Sequence, residues 1–325
     1  MALHINYFSS AAHTFATDRA INFYLRMYYI IYGLLYIISL LPFPVLYLIS
    51  DFAYFVIYRL IGYRKSIVLY NLSIAFPERS LDDRKKIAKQ FYKNLVDTFI
   101  ETIKLLSISE KEFNKRSVVY LDEINALAAK GVNIQFMGGH QMNWEYVNWG
   151  VSKKLSIPFV GIYMKIENKA LDKIFYRQRE KFGTVLVGAH EFRDRRHDVF
   201  NRQYSIGLAA DQNPGGPTRV YWLYFFNKAT PFVTGPDKGA RRNGSAIVFV
   251  KFIKVKRGYY EFRPGILTED ASTLKEGEVT LLYRDFLEET IREHPDNYLW
   301  SHRRWKWEFL EEYKVEWIDT APPPL

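Results

Sequence analysis

Hydrophobic and polar positions follow three regimes along the chain. From Met27 to Ser50 the run MYYIIYGLLYIISLLPFPVLYLIS carries no charge, and 24 such residues extend about 36 Å as one helix. Pro42 and Pro44 interrupt it, and its apolar character continues to Tyr58. It therefore reads as one membrane span or as two short helices dipping into a single leaflet, the bland alternative being a buried helical hairpin. Next, Ser80 to Leu106 has helical spacing, with Ser80 as the cap and Ile87, Phe91, Leu95, Phe99 and Ile103 as a stripe assigned to packing. Beyond Val118, short apolar runs at 118–121, 132–137, 157–163, 205–208, 246–253 and 259–264 alternate with amphipathic stretches such as 122–130, 144–155 and 277–293. Alternation of this kind predicts an α/β fold, a central mixed sheet flanked by helices, behind an N-terminal hydrophobic helical membrane anchor. The expected divisions are a tail at 1–26, without the cleavage site of a signal peptide, an anchor at 27–62 and a main domain at 63–325.

Composition sharpens this picture in two places. The 325 residues are 48% hydrophobic and contain no Cys, which supports a sizeable core and excludes disulfides and thiolate metal sites. A net charge of +10 calls for an anionic partner. The basic residues are scattered among apolar elements and match no nucleic-acid module, which favours a membrane surface, an anionic lipid or an acidic carrier protein. Arg59, Arg64 and Lys65 close behind the apolar run favour a cytoplasmic main domain, while Arg19 and Arg26 on its other flank weaken that asymmetry.

Chemistry concentrates in VNIQFMGGHQMNWEYVNWGVSKKL, residues 132–155. Val132 to Met137 reads as a buried strand, Gly138 and Gly139 permit a sharp turn, and Asn143 can cap the helix that follows. His140 and Glu145 meet only if His140 precedes the first helical turn, because residues five apart on a helix point about 140° from each other. The same spacing argues against a zinc pair. A His held by a carboxylate is a general base. No GxSxG elbow or Walker loop occurs, so the expected reaction has His140 deprotonate a substrate hydroxyl that attacks an activated acyl group, with no metal and no bound organic cofactor.

The stretch GGHQMNWE resembles the HxxxxD/E motif of glycerolipid-type acyltransferases, in the form found in the lipid A biosynthesis (lauroyl/myristoyl) acyltransferases. Four further blocks extend the resemblance: YRKSIVLYNLSIAFPER at 63–79, the helix with Arg177 and Arg179, Asp211-Gln212 behind a strand, and WSHRRWK at 300–306. The resemblance implies an acyltransferase domain that takes its acyl group from acyl carrier protein and delivers it to a hydroxyl of an anionic glycolipid, a lipid A precursor, at the inner membrane. It implies His140 and Glu145 as catalytic residues, with Glu145 orienting His140. Arg179, or Arg177 beside it, would hold a substrate phosphate, with Asp211, Gln212 and Asn143 also binding substrate and Asp211 orienting Arg179 or touching the acceptor. The aromatic run at 221–240 would help wall the acyl tract. Arg303, Arg304 and Lys306 would face lipid or carrier, or else lock the structure around Trp305. Gln141-Met142 departs from the family pattern. Another glycolipid, an aminolipid or a lysophospholipid remains an alternative acceptor, and a non-catalytic membrane-binding protein with His140 in its core is the alternative of a different class.

Overall fold

The computed structural model describes residues 25–324, so nearly all of the expected tail lies outside the described residues. The apolar run is two helices. Helix α1 (Leu25–Leu40) stops before Pro42, and α2 (Phe43–Tyr54) starts with Pro42 as its cap and passes into a π-helical segment, Phe55–Ile61. A proline lacks the N–H that an interior turn needs, which breaks the run here and disposes of one continuous span over 27–50. The stretch Phe43–Ile61 is long and apolar enough to cross a membrane. Helix α3 (Lys65–Ala75) follows, then α4 (Leu81–Lys104), capped as expected by Ser80. Along the stripe of α4, Ile87, Phe91 and Leu95 are buried and Ile103 is half-buried, but Phe99 is 57% exposed. The packing expectation fails there because α4 buries Asp97, Thr98, Glu101 and Thr102 instead.

The main domain alternates as expected: α5 (Glu110–Arg116), β1 (Ser117–Val119), α6 (Asp122–Ala129), β2 (Ile134–Met137), α7 (Trp144–Lys154), β3 (Phe159–Tyr163), α8 (Lys169–Glu180), β4 (Val185–Gly188), α9 (Phe192–Phe200) and β5 (Ser205–Leu208). A two-stranded hairpin, β6 (Val220–Phe225) and β7 (Lys228–Val233), then leads through α10 (Gly235–Asn243) to β8 (Ala246–Lys256), β9 (Tyr259–Thr268) and α11 (Glu278–Glu293). Seven strands form one sheet in the order β1-β9-β8-β2-β5-β3-β4. It is mixed, with β8 and β9 antiparallel and every other neighbouring pair parallel.

Side chains alternate across this sheet as strand geometry requires. Ile134 and Phe136 of β2, with Val248 and Val250 of β8, pack on α6 and Val151 of α7. Met137 and Ile247 point to the other face, against Val279, Tyr283, Leu287 and Ile291 of α11. Both faces are covered, which is why the parallel strands read as continuous apolar runs. The strand order changes direction around β2 and β5, so their carboxyl ends open a crevice at the top of the sheet.

Candidate functional site

The crevice is built by register. Met137 of β2 lies opposite Leu208 of β5, and His140 and Asp211 each follow three residues later. The two side chains meet there: His140 Nδ1 and Asp211 Oδ1 are 2.6 Å apart, and the His140 backbone N–H donates to Asp211 Oδ2 at 2.9 Å. Asp211 is fully buried, whereas the His140 side chain keeps 28% of its surface and lines a cavity. Nε2 has no protein partner among the described residues, an arrangement unlike that of a satisfied core histidine. Burial pulls the imidazole pKa down, but the Asp211 charge and hydrogen bond outweigh it and raise it. Burial likewise acts to raise the Asp211 pKa, and its contacts with His140 win, holding it below the usual carboxylate range. The result is an ionised carboxylate that fixes the tautomer of a partly open imidazole.

Glu145 does not perform that task. It is buried in the first turn of α7 and accepts from Arg179, with Nε–Oε1 at 3.0 Å, Nε–Oε2 at 3.1 Å and Nη2–Oε1 at 2.5 Å. Two expectations are corrected together: Asp211 rather than Glu145 orients His140, and Asp211 does not reach Arg179. The physical reason is the helical geometry. Asn143 caps α7 by accepting from the Glu145 N–H at 3.1 Å, which directs Glu145 along α7 to α8. Arg179 is held in a salt bridge rather than presented freely to a phosphate, although both partners still line the cavity. Arg177 is displaced from the site altogether, because its Nη1 donates to Tyr28 of α1 at 3.3 Å. Gln212 lines the cavity, and Asn143 is buried beneath it.

The glycines before His140 serve close approach rather than an unusual turn. A Cβ on Gly138 would come within 2.6 Å of the Phe252 ring, and one on Gly139 within 2.9 Å of Leu287. Neither has a positive φ. Tyr283 ties the two strand ends together, donating to the Gly138 carbonyl at 2.7 Å and accepting from the Ala210 N–H at 3.2 Å. Below the motif, buried Glu101 receives Tyr260 at 2.7 Å, Tyr47 at 3.0 Å and Asn143 at 3.1 Å, joining the cap of α7 to α2. Burial raises its pKa above the usual carboxylate range, offset only in part by these donors. Neither residue was anticipated. The available signal for Glu101 was the polar row Asn94, Asp97, Thr98, Glu101 and Thr102 at helical spacing.

The cavity holds about 500 Å³ and runs from His140 between the sheet and α7. Phe136, Val151, Phe159, Val250, Phe252 and Phe262 form its deep apolar wall. Residues 221–240 do not line it; the β6–β7 hairpin packs instead on the C-terminal segment, where Phe225 stacks on Trp305 at 5.7 Å. The 300–306 block resolves accordingly. Arg304 is buried and donates to the Pro231 carbonyl at 3.0 Å and to Asn213 at 3.3 Å, a lock made with neutral acceptors rather than acids. Arg303 and Lys306 stay exposed. His302 Nε2 accepts from the Asn213 N–H at 3.0 Å, and burial pulls its pKa down to about 4, so it is neutral.

A deep apolar tract ending at a carboxylate-held imidazole suits transfer of a long acyl chain. Comparison with known proteins agrees. The profile described as bacterial lipid A biosynthesis acyltransferase matches residues 14–307. Curated relatives include the lipid A biosynthesis palmitoleoyltransferase of Escherichia coli (strain K12), 23% identical over 276 residues, covering 84% of this chain and 89% of that protein. The lipid A biosynthesis acyltransferase of Shigella flexneri is similar to the same extent. The lipid A biosynthesis lauroyltransferase of Escherichia coli (strain K12) is 23% identical over 279 residues, with the same shares of each chain.

Proposed function

The chain belongs to the bacterial lipid A biosynthesis acyltransferase family, and on that premise we propose that it moves a fatty acyl group from acyl carrier protein to a hydroxyl of a lipid A precursor. The observation that supports this reading is the His140–Asp211 pair opening on an apolar tract. The acyl chain lies along Phe136, Phe159 and Phe262, which brings its thioester carbonyl beside Nε2. Nε2 takes the proton from the acceptor hydroxyl as its oxygen bonds to the carbonyl carbon. Asp211 stabilises the imidazolium that forms. The tetrahedral intermediate then expels the thiolate, and Nε2 returns its proton to sulfur. General base catalysis of this kind contributes roughly 10² to 10⁴ in rate.

Glu145 and Arg179 hold the first turn of α7 against α8 and so position the wall beside the reacting carbonyl. The net charge of +10 suits an acidic carrier and an anionic membrane alike. Arg59, Arg64 and Lys65, just behind the apolar helices, favour an inner-membrane enzyme whose main domain faces the cytoplasm. The test is acyl transfer from labelled acyl carrier protein to a phosphorylated lipid A precursor in detergent, comparing the native chain with His140→Ala. Transfer by the native chain alone is expected. His140-dependent transfer to a different lipid would discard this acceptor, and equal activity of the variant would overturn the mechanism.

A further inference from the structure

Beside the His140 cavity lies a second one, of about 550 Å³, between the π-helical segment, α4 and residues 299–302. Ile57, Ile61, Leu95, Val96 and Phe99 make it apolar, and Arg64 stands in its lining. Trp144 and Leu299 line both cavities, so these two side chains stand between it and the catalytic one. The Leu299 N–H donates to the His140 carbonyl at 3.1 Å, which ties the partition to the backbone that carries the imidazole.

Phe99, in the lining of this second cavity, is exposed, and other large apolar side chains of the N-terminal helices are exposed too. They include Leu34, Ile37, Leu48, Phe52 and Leu60. The helices beside this cavity are tied closely to the main domain. Helix α1 touches the main domain at both ends: Tyr28 receives Arg177, and the Ser39 and Leu41 carbonyls receive Lys104 Nζ at 2.7 and 3.0 Å. Helix α2 touches it throughout. Arg116 lies 3.4 Å from the Phe43 ring centroid, Tyr47 donates to Glu101, Ser50 donates to Asp97 at 2.7 Å, and Arg257 pairs with Asp51 at 2.7 Å. Lys65 then sits 4.7 Å from the Tyr58 ring centroid at the far end. With these helices in the plane of one leaflet, the second cavity would open at acyl-chain depth.

Resting on the acyltransferase reading, we propose that the second cavity is a side port through which an acyl chain of the membrane-embedded acceptor lipid enters from the leaflet, with Arg64 and Lys65 meeting its anionic headgroup. The port explains why α4 leaves Phe99 outside the core, where it lines the opening. It also lets donor and acceptor reach His140 from different sides, the donor chain in the deep tract and the acceptor past Trp144 and Leu299.

The experiment is photo-cross-linking of the native chain in phosphatidylcholine vesicles containing phosphatidylglycerol with a diazirine in one acyl chain. Cross-links at Trp144 or Leu299, together with Ile57 or Phe99, are expected. Cross-links confined to the outer faces of α1 and α2 would overturn the port. A second measurement uses the absence of Cys. Phe99→Cys carrying a bulky maleimide should raise KM for the lipid A precursor about tenfold, a loss of about 1.4 kcal/mol in apparent binding. An unchanged KM would overturn the proposal. Should the vesicle cross-links appear while no lipid is acylated, the port stands as a lipid site and the assigned reaction fails. Acylation without cross-links at the partition sinks the port alone.

Discussion

Asp211 and Glu145 are both buried carboxylates near His140 with different partners, so replacing each by its amide separates their roles. The Asp211 oxygens contact both the ring and the backbone of His140, at 2.6 and 2.9 Å. Asp211→Asn removes the charge that raises the imidazole pKa against the pull of burial. The base must be neutral to accept a proton, so native kcat/KM should fall as pH drops through a midpoint above the ordinary histidine value. In Asp211→Asn that acid limb should move to lower pH. The plateau should fall roughly 10² to 10⁴-fold, since the imidazolium is no longer stabilised and the tautomer no longer fixed. Glu145→Gln instead breaks a buried pair whose side chains are 5% and 21% exposed. Leaving Arg179 uncompensated costs about 3–5 kcal/mol, which at about 2 °C per kcal/mol lowers Tm by roughly 6–10 °C. Its acid limb should keep the native midpoint. The assay is a pH profile of acyl transfer beside a thermal melt for each protein. If Glu145→Gln moves the acid limb and Asp211→Asn does not, the pairing argued from the β2–β5 register is wrong.

Other perturbations read separate parts of the site. Gly138→Ala places a methyl against the Phe252 ring, and overpacking there should cost about 1–3 kcal/mol in a denaturant melt; a neutral substitution would mean that the turn has slack. Asn143→Ala removes the cap of α7 and a donor to buried Glu101, so a loss of about 1–2 kcal/mol with a parallel fall in transfer is expected, and retention of both would show that the cap is dispensable. Val151→Phe narrows the deep tract, so a competition between acyl donors should shift toward shorter chains, by about 1–3 kcal/mol of discrimination per methylene; an unchanged donor profile would place the chain elsewhere.

What could be read from the sequence was local in origin. The Ser80 and Asn143 caps, the helical spacing of α4 and the short apolar runs of the sheet each declare themselves within a turn or a strand, and the mixed α/β architecture followed from their alternation. The Pro42 break is visible too, although the sequence fits one span or two short helices and the ends of α1 and α2 decide between them. Phe99 misled because its spacing matches the core stripe while the opposite row, Asp97 to Glu101, is the one that α4 buries. Periodicity alone does not state which face of a helix meets the core when both carry partners.

The partner of His140 was hidden for a different reason. Asp211 lies 71 residues away, and nothing in its neighbourhood names the histidine. The nearest carboxylate in sequence, Glu145, is the one a motif brings to mind, but α7 carries it toward Arg179. Only the parallel pairing of β2 with β5 puts the two strand ends side by side, and a slip of one residue would turn one of the two side chains to the other face of the sheet. The chemistry of the site thus depends on sheet register more than on motif spacing. The HxxxxE spacing fixes the α7 wall and its tie to α8, while His140 acquires its basicity from a strand that the motif does not contain.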